Sequence, residues 1–201
     1  MSNREILDKI KGMTIKEQRA IKYEDLAQIV RRLNTEEVIE LTNIIGYPVF
    51  TRKLMGDLEH SFVLLQDGAA VVIVNENGEI LLQSRADRDA WGLPGGCQDL
   101  GENLRRTGQR EVKEETNLDI ALEDLNLIEI VSGESRRNSY PNGDVVYNNT
   151  ALYWADTYTG ELKWDEESKA MKFFSLNNLP KNQNDPDLIK MYVEKVHNKR
   201  R

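Results

Sequence analysis

The sequence predicts an α/β fold, a sandwich with a mixed sheet preceded by a small helical N-terminal extension. Three observations carry this. Residues 1–46 space their apolar side chains as helices do, and the chain turns strand-rich from about Val49. One helix then interrupts the strands and another closes the chain, the order of an α/β sandwich.

Within residues 1–46, Thr14-x-x-Glu17 and Asn34-x-x-Glu37 are capping-box patterns. Leu26, Ile29, Val30 and Leu33 recur at helical spacing, and Val38, Leu41 and Ile45 follow until Gly46 and Pro48 end the pattern. This extension holds no cluster of ligands or nucleophiles. It is expected to pack on the main domain at residues 50–201, on a twin subunit as a homodimer, or on both. Ala69–Val74 and Glu79–Arg85 flank Asn75-Glu76-Asn77-Gly78, a hairpin signal. The loop Trp91–Gly96 (WGLPGG) leads to a helix from about Asn103 to Thr116. Gly108 inside that helix costs about 1 kcal/mol relative to Ala, which predicts a close approach of helix to sheet. Strands follow at Leu125–Ser132, at Val145–Tyr158 after the turn residues Tyr140–Asp144, and at Met171–Phe174. Asp185 and Pro186 then start a helix whose apolar face is Leu188, Ile189, Tyr192, Val193 and Val196.

The 201 residues are 39% apolar and 30% charged, the balance of a soluble globular protein. No run approaches the ~18 apolar residues of a membrane span. No secretory signal pattern opens the chain, so a cytoplasmic location is expected. The single Cys97 excludes an internal disulfide, and with only His60 and His197 beside it no usual zinc site can form. Net charge is −7; residues 1–46 hold eight basic and eight acidic residues, leaving 19 basic against 26 acidic beyond them. That balance does not suit an extended nucleic-acid surface. It suits an acidic, metal-loaded cleft.

The chemistry is concentrated in the run Gly96–Leu118, GCQDLGENLRRTGQREVKEETNL. At about 100° per residue, Glu111, Glu114 and Glu115 share roughly a quarter to a third of a helix circumference. A merely solvated helix pairs Glu with Lys or Arg at i+3 or i+4. Here like charges face each other, at about 0.2–0.5 kcal/mol per pair. They also lie near the helix C-terminus, where anions are disfavoured by roughly 0.3–1 kcal/mol each. Only Arg110 to Glu114 offsets this. A sequence that accepts such local penalties is read as holding a hard divalent cation, Mg2+ or Mn2+.

The same run resembles the signature of the Nudix hydrolases, G-x5-E-x7-R-E-U-x-E-E-x-G-U, where U is a bulky aliphatic residue. Gly96, Glu102, Arg110, Glu111, Val112, Glu114, Glu115 and Leu118 match it. Asn117 stands where the family has its last glycine, at a helix end that wants a left-handed conformation, and Asn is the next best residue there. The element order over about residues 50–196 also matches the Nudix α/β/α sandwich.

The resemblance implies a Mg2+-dependent hydrolase, with Mn2+ as a substitute, acting on a small-molecule nucleotide. Its bond would be the diphosphate linkage between a nucleoside and another moiety, opened by water attack on phosphorus. By the same resemblance Glu111 and Glu115 are metal ligands, with Glu114 joining them or holding water. A backbone carbonyl of Gly95 or Gly96 adds a ligand, and Glu102 and Arg110 orient the carboxylates. Glu167, in the acidic stretch Trp164–Ser168, is the candidate general base. Arg85, Arg88, Arg136 and Arg137 are candidate phosphate contacts, and Trp91, Tyr140 and Tyr147 candidate base contacts. The proline or tyrosine that marks some members beyond the signature is missing, since that region reads Gly133-Glu134. Two other readings are a non-catalytic nucleotide and metal sensor, and a transferase or isomerase on the same fold using Cys97.

Overall fold

The structure is a computed structural model that describes residues 1–46, 49–51, 63–86, 89–139, 145–164 and 168–200. Four helices come first: α1 (Asn3–Lys11), α2 (Ile15–Ala20), α3 (Tyr23–Val30) and α4 (Thr35–Ile45). The predicted capping boxes close α2 at Thr14/Glu17 and α4 at Asn34/Glu37, and Ser2/Glu5 caps α1 likewise. Their apolar faces meet in a core of Ile6, Leu7, Ile10, Leu26, Leu41 and Ile45. Phe50 joins that core, and residues 49–51 are helical. Among the described residues strand structure therefore begins at Val63, and Val49 and Phe50 belong to the helical core instead.

The main sheet runs β4 (Gly95–Cys97), β1 (Val63–Ile73), β7 (Val145–Ala155), β5 (Asn126–Val131), with β6 (Arg137–Ser139) also on β7. β1 and β7 are parallel from Val63↔Val145 to Ile73↔Ala155, and the other pairings are antiparallel, so the sheet is mixed. A second, antiparallel sheet runs β3 (Trp91–Gly92), β2 (Ile80–Arg85), β8 (Ser168–Phe174). The turn after β1 forms as predicted, with Asn75 Oδ1 accepting from the Asn77 and Glu79 amides. The hairpin it starts is only one bridge long, Val74↔Ile80. Beyond it Ile80, Leu81 and Leu82 are all buried, so β2 needs cover on both faces and leaves for the second sheet. β7 stops at Ala155, short of Tyr158, and β8 starts at Ser168, ahead of Met171. The turn at 140–144 lies outside the described residues, but β6 and β7 on either side of it pair antiparallel.

Alternation along β1 divides the core. Ala69, Val71 and Ile73 face α5 (Leu104–Thr116), which adds Val112, while Ala70, Val72 and Val74 face α6 (Pro186–Lys195) with Leu188, Ile189 and Tyr192. This is the α/β/α layering. A Cβ at Gly108 would stand 3.2 Å from Val71 Cγ2 and 3.6 Å from Ala69 Cβ, the close approach the sequence predicts. Asn117 ends α5 at φ 60°, in the left-handed region, and its amide donates to Lys113 O at 3.0 Å.

Candidate active site

α5 and the strand β4 converge to make the site. Asn103 caps α5, accepting from the Arg106 amide at 3.1 Å, and this starts the helix directly after Glu102. Glu111 and Glu115 then rise one turn apart beneath β4. A Cβ on Gly96 would come within 2.5 Å of Glu111 Oε1, so only glycine lets the carboxylate lie against this strand. Glu115 Oε2 accepts from the Gly95 amide at 2.8 Å, and Oε1 from Gln83 Nε2 at 3.2 Å. Gln83 also donates to Ser168 Oγ at 2.7 Å, so its bond to Glu115 ties the second sheet to the site.

Arg110 binds the remaining parts together. Its Nε and Nη2 donate to the two oxygens of Glu102, at 3.1 and 3.2 Å. Nη2 also reaches Cys97 O at 2.8 Å, and Nη1 reaches Glu111 Oε1 at 2.8 Å and Glu114 Oε2 at 2.9 Å. Glu102 is further held by Thr107 Oγ1 at 2.9 Å and the Asp99 amide at 3.3 Å. Burial works against both charges, yet the Arg110 bonds lower the Glu102 pKa, and the surrounding carboxylates raise that of Arg110. This pair stays ionised.

Glu111 and Glu115 behave differently. Burial pushes Glu111 up to about 7 against the pull of Arg110. Burial and then the neighbouring Glu111 charge push Glu115 to about 8, although the Gly95 amide and Gln83 favour its ionised form. Two buried carboxylates that resist ionisation side by side carry more negative charge than Arg110 and Arg85 offset. That donor chemistry fits a hard divalent cation, which takes oxygen ligands and keeps several waters. Among the described residues no three acidic, His or Cys side chains are gathered into a finished metal cage. Arg110 stands between Glu111 and Glu114, and Glu114 is exposed on the outer side.

The other sequence candidates are spread more widely. The positive charge of Arg85 is felt at Glu115 and Cys97. Arg136 lines a cavity of about 160 Å³ beside Gly95–Cys97. Trp91 packs edge-on against Phe174 at 4.9 Å, in the α6-side core. Tyr147 donates to Glu134 at 3.2 Å, and Arg137 stands 3.9 Å from that same carboxylate. Glu167, Tyr140 and Arg88 lie outside the described residues. Cys97 accepts from the Gln66 amide, and burial first, then Glu111, push its thiol up to about 11. It is a poor nucleophile. Sequence reasoning missed Gln83, whose signal was a buried-strand amide directly after the apolar run Ile80–Leu82. It also missed Asn43 of α4, which exchanges hydrogen bonds with the Leu100 backbone (3.3 and 3.1 Å) in the loop before Glu102.

A layered α/β/α body with carboxylates packed under a glycine strand defines a class, and the comparisons with known proteins agree. The NUDIX domain family model matches residues 64–194, and the chain belongs to the Nudix family of pyrophosphohydrolases. An ADP-ribose pyrophosphatase of Methanocaldococcus jannaschii is 33% identical over 142 residues, covering 68% of this chain and 79% of that protein. A putative 8-oxo-dGTP diphosphatase of Bacillus subtilis is 46% identical over 55 residues, 27% of this chain and 37% of that one. Among solved structures, a MutT NUDIX hydrolase from Burkholderia pseudomallei is 28% identical with a TM-score of 0.53, covering 66% of this chain and 98% of that one. Among the described residues no helix is long and apolar enough to cross a membrane.

Proposed function

We propose that the protein is a Mg2+-dependent pyrophosphohydrolase, with Mn2+ as a substitute, that cleaves the diphosphate linkage of a nucleoside diphosphate joined to another moiety. The observation that carries this reading is the pair Glu111 and Glu115, enclosed together with raised pKa values against the backbone of Gly95 and Gly96, where a Cβ would collide with Ala69 O and with the Glu111 carboxylate. Glu111, Glu115 and a carbonyl of Gly95 or Gly96 would hold the cation, with Glu114 contributing through water. Bound there, a divalent cation supplies phosphoryl polarisation and a water acidic enough to attack near neutral pH.

The chain's own residues do the positioning. Glu102 fixes the Arg110 guanidinium, Arg110 fixes the near oxygen of Glu111, and its bond to Cys97 O ties α5 to β4. Gln83 and the Gly95 amide set the orientation of Glu115. Burial of both carboxylates keeps bulk water off them, which strengthens their attraction for a bound cation. Glu167 is assigned the role of general base, and Arg85 that of a phosphate contact. The similarity to an ADP-ribose pyrophosphatase makes ADP-ribose the first substrate to try. Residues 1–46 are assigned to a homodimer contact.

The test is a panel of ADP-ribose, nucleotide sugars, dinucleotides and nucleoside triphosphates, incubated with Mg2+ or Mn2+ and read by product chromatography. Glu115→Gln should lower kcat by at least ~10²-fold, the scale of losing one charge-stabilising group in a dry site. Full turnover by that variant, or wild-type protein that binds a nucleotide with Mg2+ and never cleaves it, would reject the enzyme reading and favour a sensor.

A further inference from the structure

On the α6 side of the sheet, next to β4, the cavity of about 160 Å³ is walled by Gly68, Ala70, Thr150, Leu188 and the side chain of Arg136. A cavity of about 150 Å³ takes a benzene-sized ring. We propose that Arg136 is the specificity-determining residue of this cavity, and that one edge of its guanidinium takes two neighbouring acceptor atoms of an uncharged ring of the substrate. The proposal rests on reading the adjacent site as a pyrophosphohydrolase centre.

The Arg136 side chain is only 11% exposed. Its Nη1 is spent on Asp185 at 2.9 Å and, more loosely, on Asp187 at 3.5 Å. Nη2 meets Thr150 Oγ1 at 3.5 Å, the outer limit of a bond, and buried Nε has no hydrogen-bond partner among the described residues. Nε and Nη2 share one edge of the planar group, so that edge is a two-donor fork left open. Buried donors of a charged group are seldom left without acceptors.

The support for this arginine is bought with helix stability. Asp185 sits at the N-cap of α6, where its carboxylate would be expected to accept from the helix amides, yet it makes no capping bond and holds Arg136 instead. A broken local rule of this kind belongs to a site.

Charge decides what the fork takes. Asp185 and Asp187 already offset the guanidinium, and Asp67 adds a further carboxylate to the cavity wall. The other polar walls are neutral: Gln66, Asn148 and Thr150. A further phosphate would meet a surplus of negative charge there, whereas a neutral ring would not. Two donors on one edge match the O6/N7 pair of a 6-oxopurine, and clash with adenine, which offers one acceptor and one donor. Neighbouring hydroxyl oxygens of a pentose supply the same acceptor pair.

The experiment measures calorimetric binding of GMP, AMP, ribose 5-phosphate and inorganic pyrophosphate to the wild-type chain and to Arg136→Lys, which keeps the charge and removes the fork. If the base occupies the cavity, GMP binds about tenfold tighter than AMP and Arg136→Lys levels the two, the order of one mismatched two-donor contact. If the pentose occupies it, GMP and AMP bind alike, ribose 5-phosphate also binds, and the variant weakens all three about tenfold. In both cases pyrophosphate binding is unchanged. Unchanged nucleotide affinities, an equal loss for pyrophosphate, or no binding of the three by wild type would each overturn the proposal. Thr150→Val, which keeps side-chain volume, should weaken the same ligand in the same direction, and decides the matter if Arg136→Lys does not fold. Absence of hydrolysis with intact, Arg136-dependent binding would sink the enzyme reading alone.

Discussion

Glu115 shows how a single side chain links burial, protonation and metal demand. Its folded pKa of about 8 lies above the ordinary 4.5, and Glu111 at about 7 is displaced the same way. The folded chain therefore binds protons more tightly than the unfolded chain at these sites. Their contribution to stability is complete below about pH 4.5 and is lost as pH rises through 7 to 8. Metal-free protein in EDTA should show a melting temperature that falls across this window. Mg2+ should flatten that fall, because a cation replaces the protons. Thermal scans at several pH values with and without Mg2+ check this, and a melting temperature that rises with pH in EDTA would contradict it. Asn117 and the carboxylate series were legible in the sequence because both obey local rules of helix geometry. Gln83 and Arg136 were harder to read. Their roles depend on β2 leaving for a second sheet and on Arg136 meeting Asp185, which local spacing does not encode.

At the level of elements, α5 lies as close to β1 as its glycine permits. The first Cβ at position 108 would press Val71 at 3.2 Å and touch Ala69 and Tyr153 at 3.6 Å, so Gly108→Ala should be near neutral, helix propensity offsetting a small shift of the valine. Gly108→Val should cost about 1–3 kcal/mol by overpacking. Urea denaturation measures both, and a valine variant as stable as the wild type would show that the helix can lift off the sheet. Capping boxes and the apolar period revealed α2, α3, α4 and α6 in the sequence, and the spacing of the carboxylates revealed α5. Strand ends were less legible. Val49 and Phe50 read as the beginning of a strand, but they complete a helical core, since apolar side chains alone do not say which core they join.

Across the whole molecule, the helical bundle of residues 1–46 has its own apolar core and clasps the loop of the active-site signature through Asn43 and Leu100. If the bundle also joins two chains, deleting residues 1–46 should turn a dimer into a monomer. Light-scattering mass before and after deletion settles this, and an unchanged oligomer removes the bundle from the contact. The parallel pairing was not visible locally either: hairpin and turn signals speak for neighbours in sequence, and β1 and β7 are far apart along the chain.

That long parallel pairing has a temporal consequence. β1 stands between β4 and β7, so the strand that cradles Glu111 gains its backing only after the residues of β7 have arrived. Local helices form early and distant strand pairs late. On a chain growing from its N-terminus, α1–α4 can consolidate while the carboxylates of α5 remain solvated and normally acidic. The site should thus acquire its raised proton affinity late in folding. Pulsed hydrogen exchange during refolding should protect the amides of α1–α4 before those of β4, and the reverse order would refute this sequence of events.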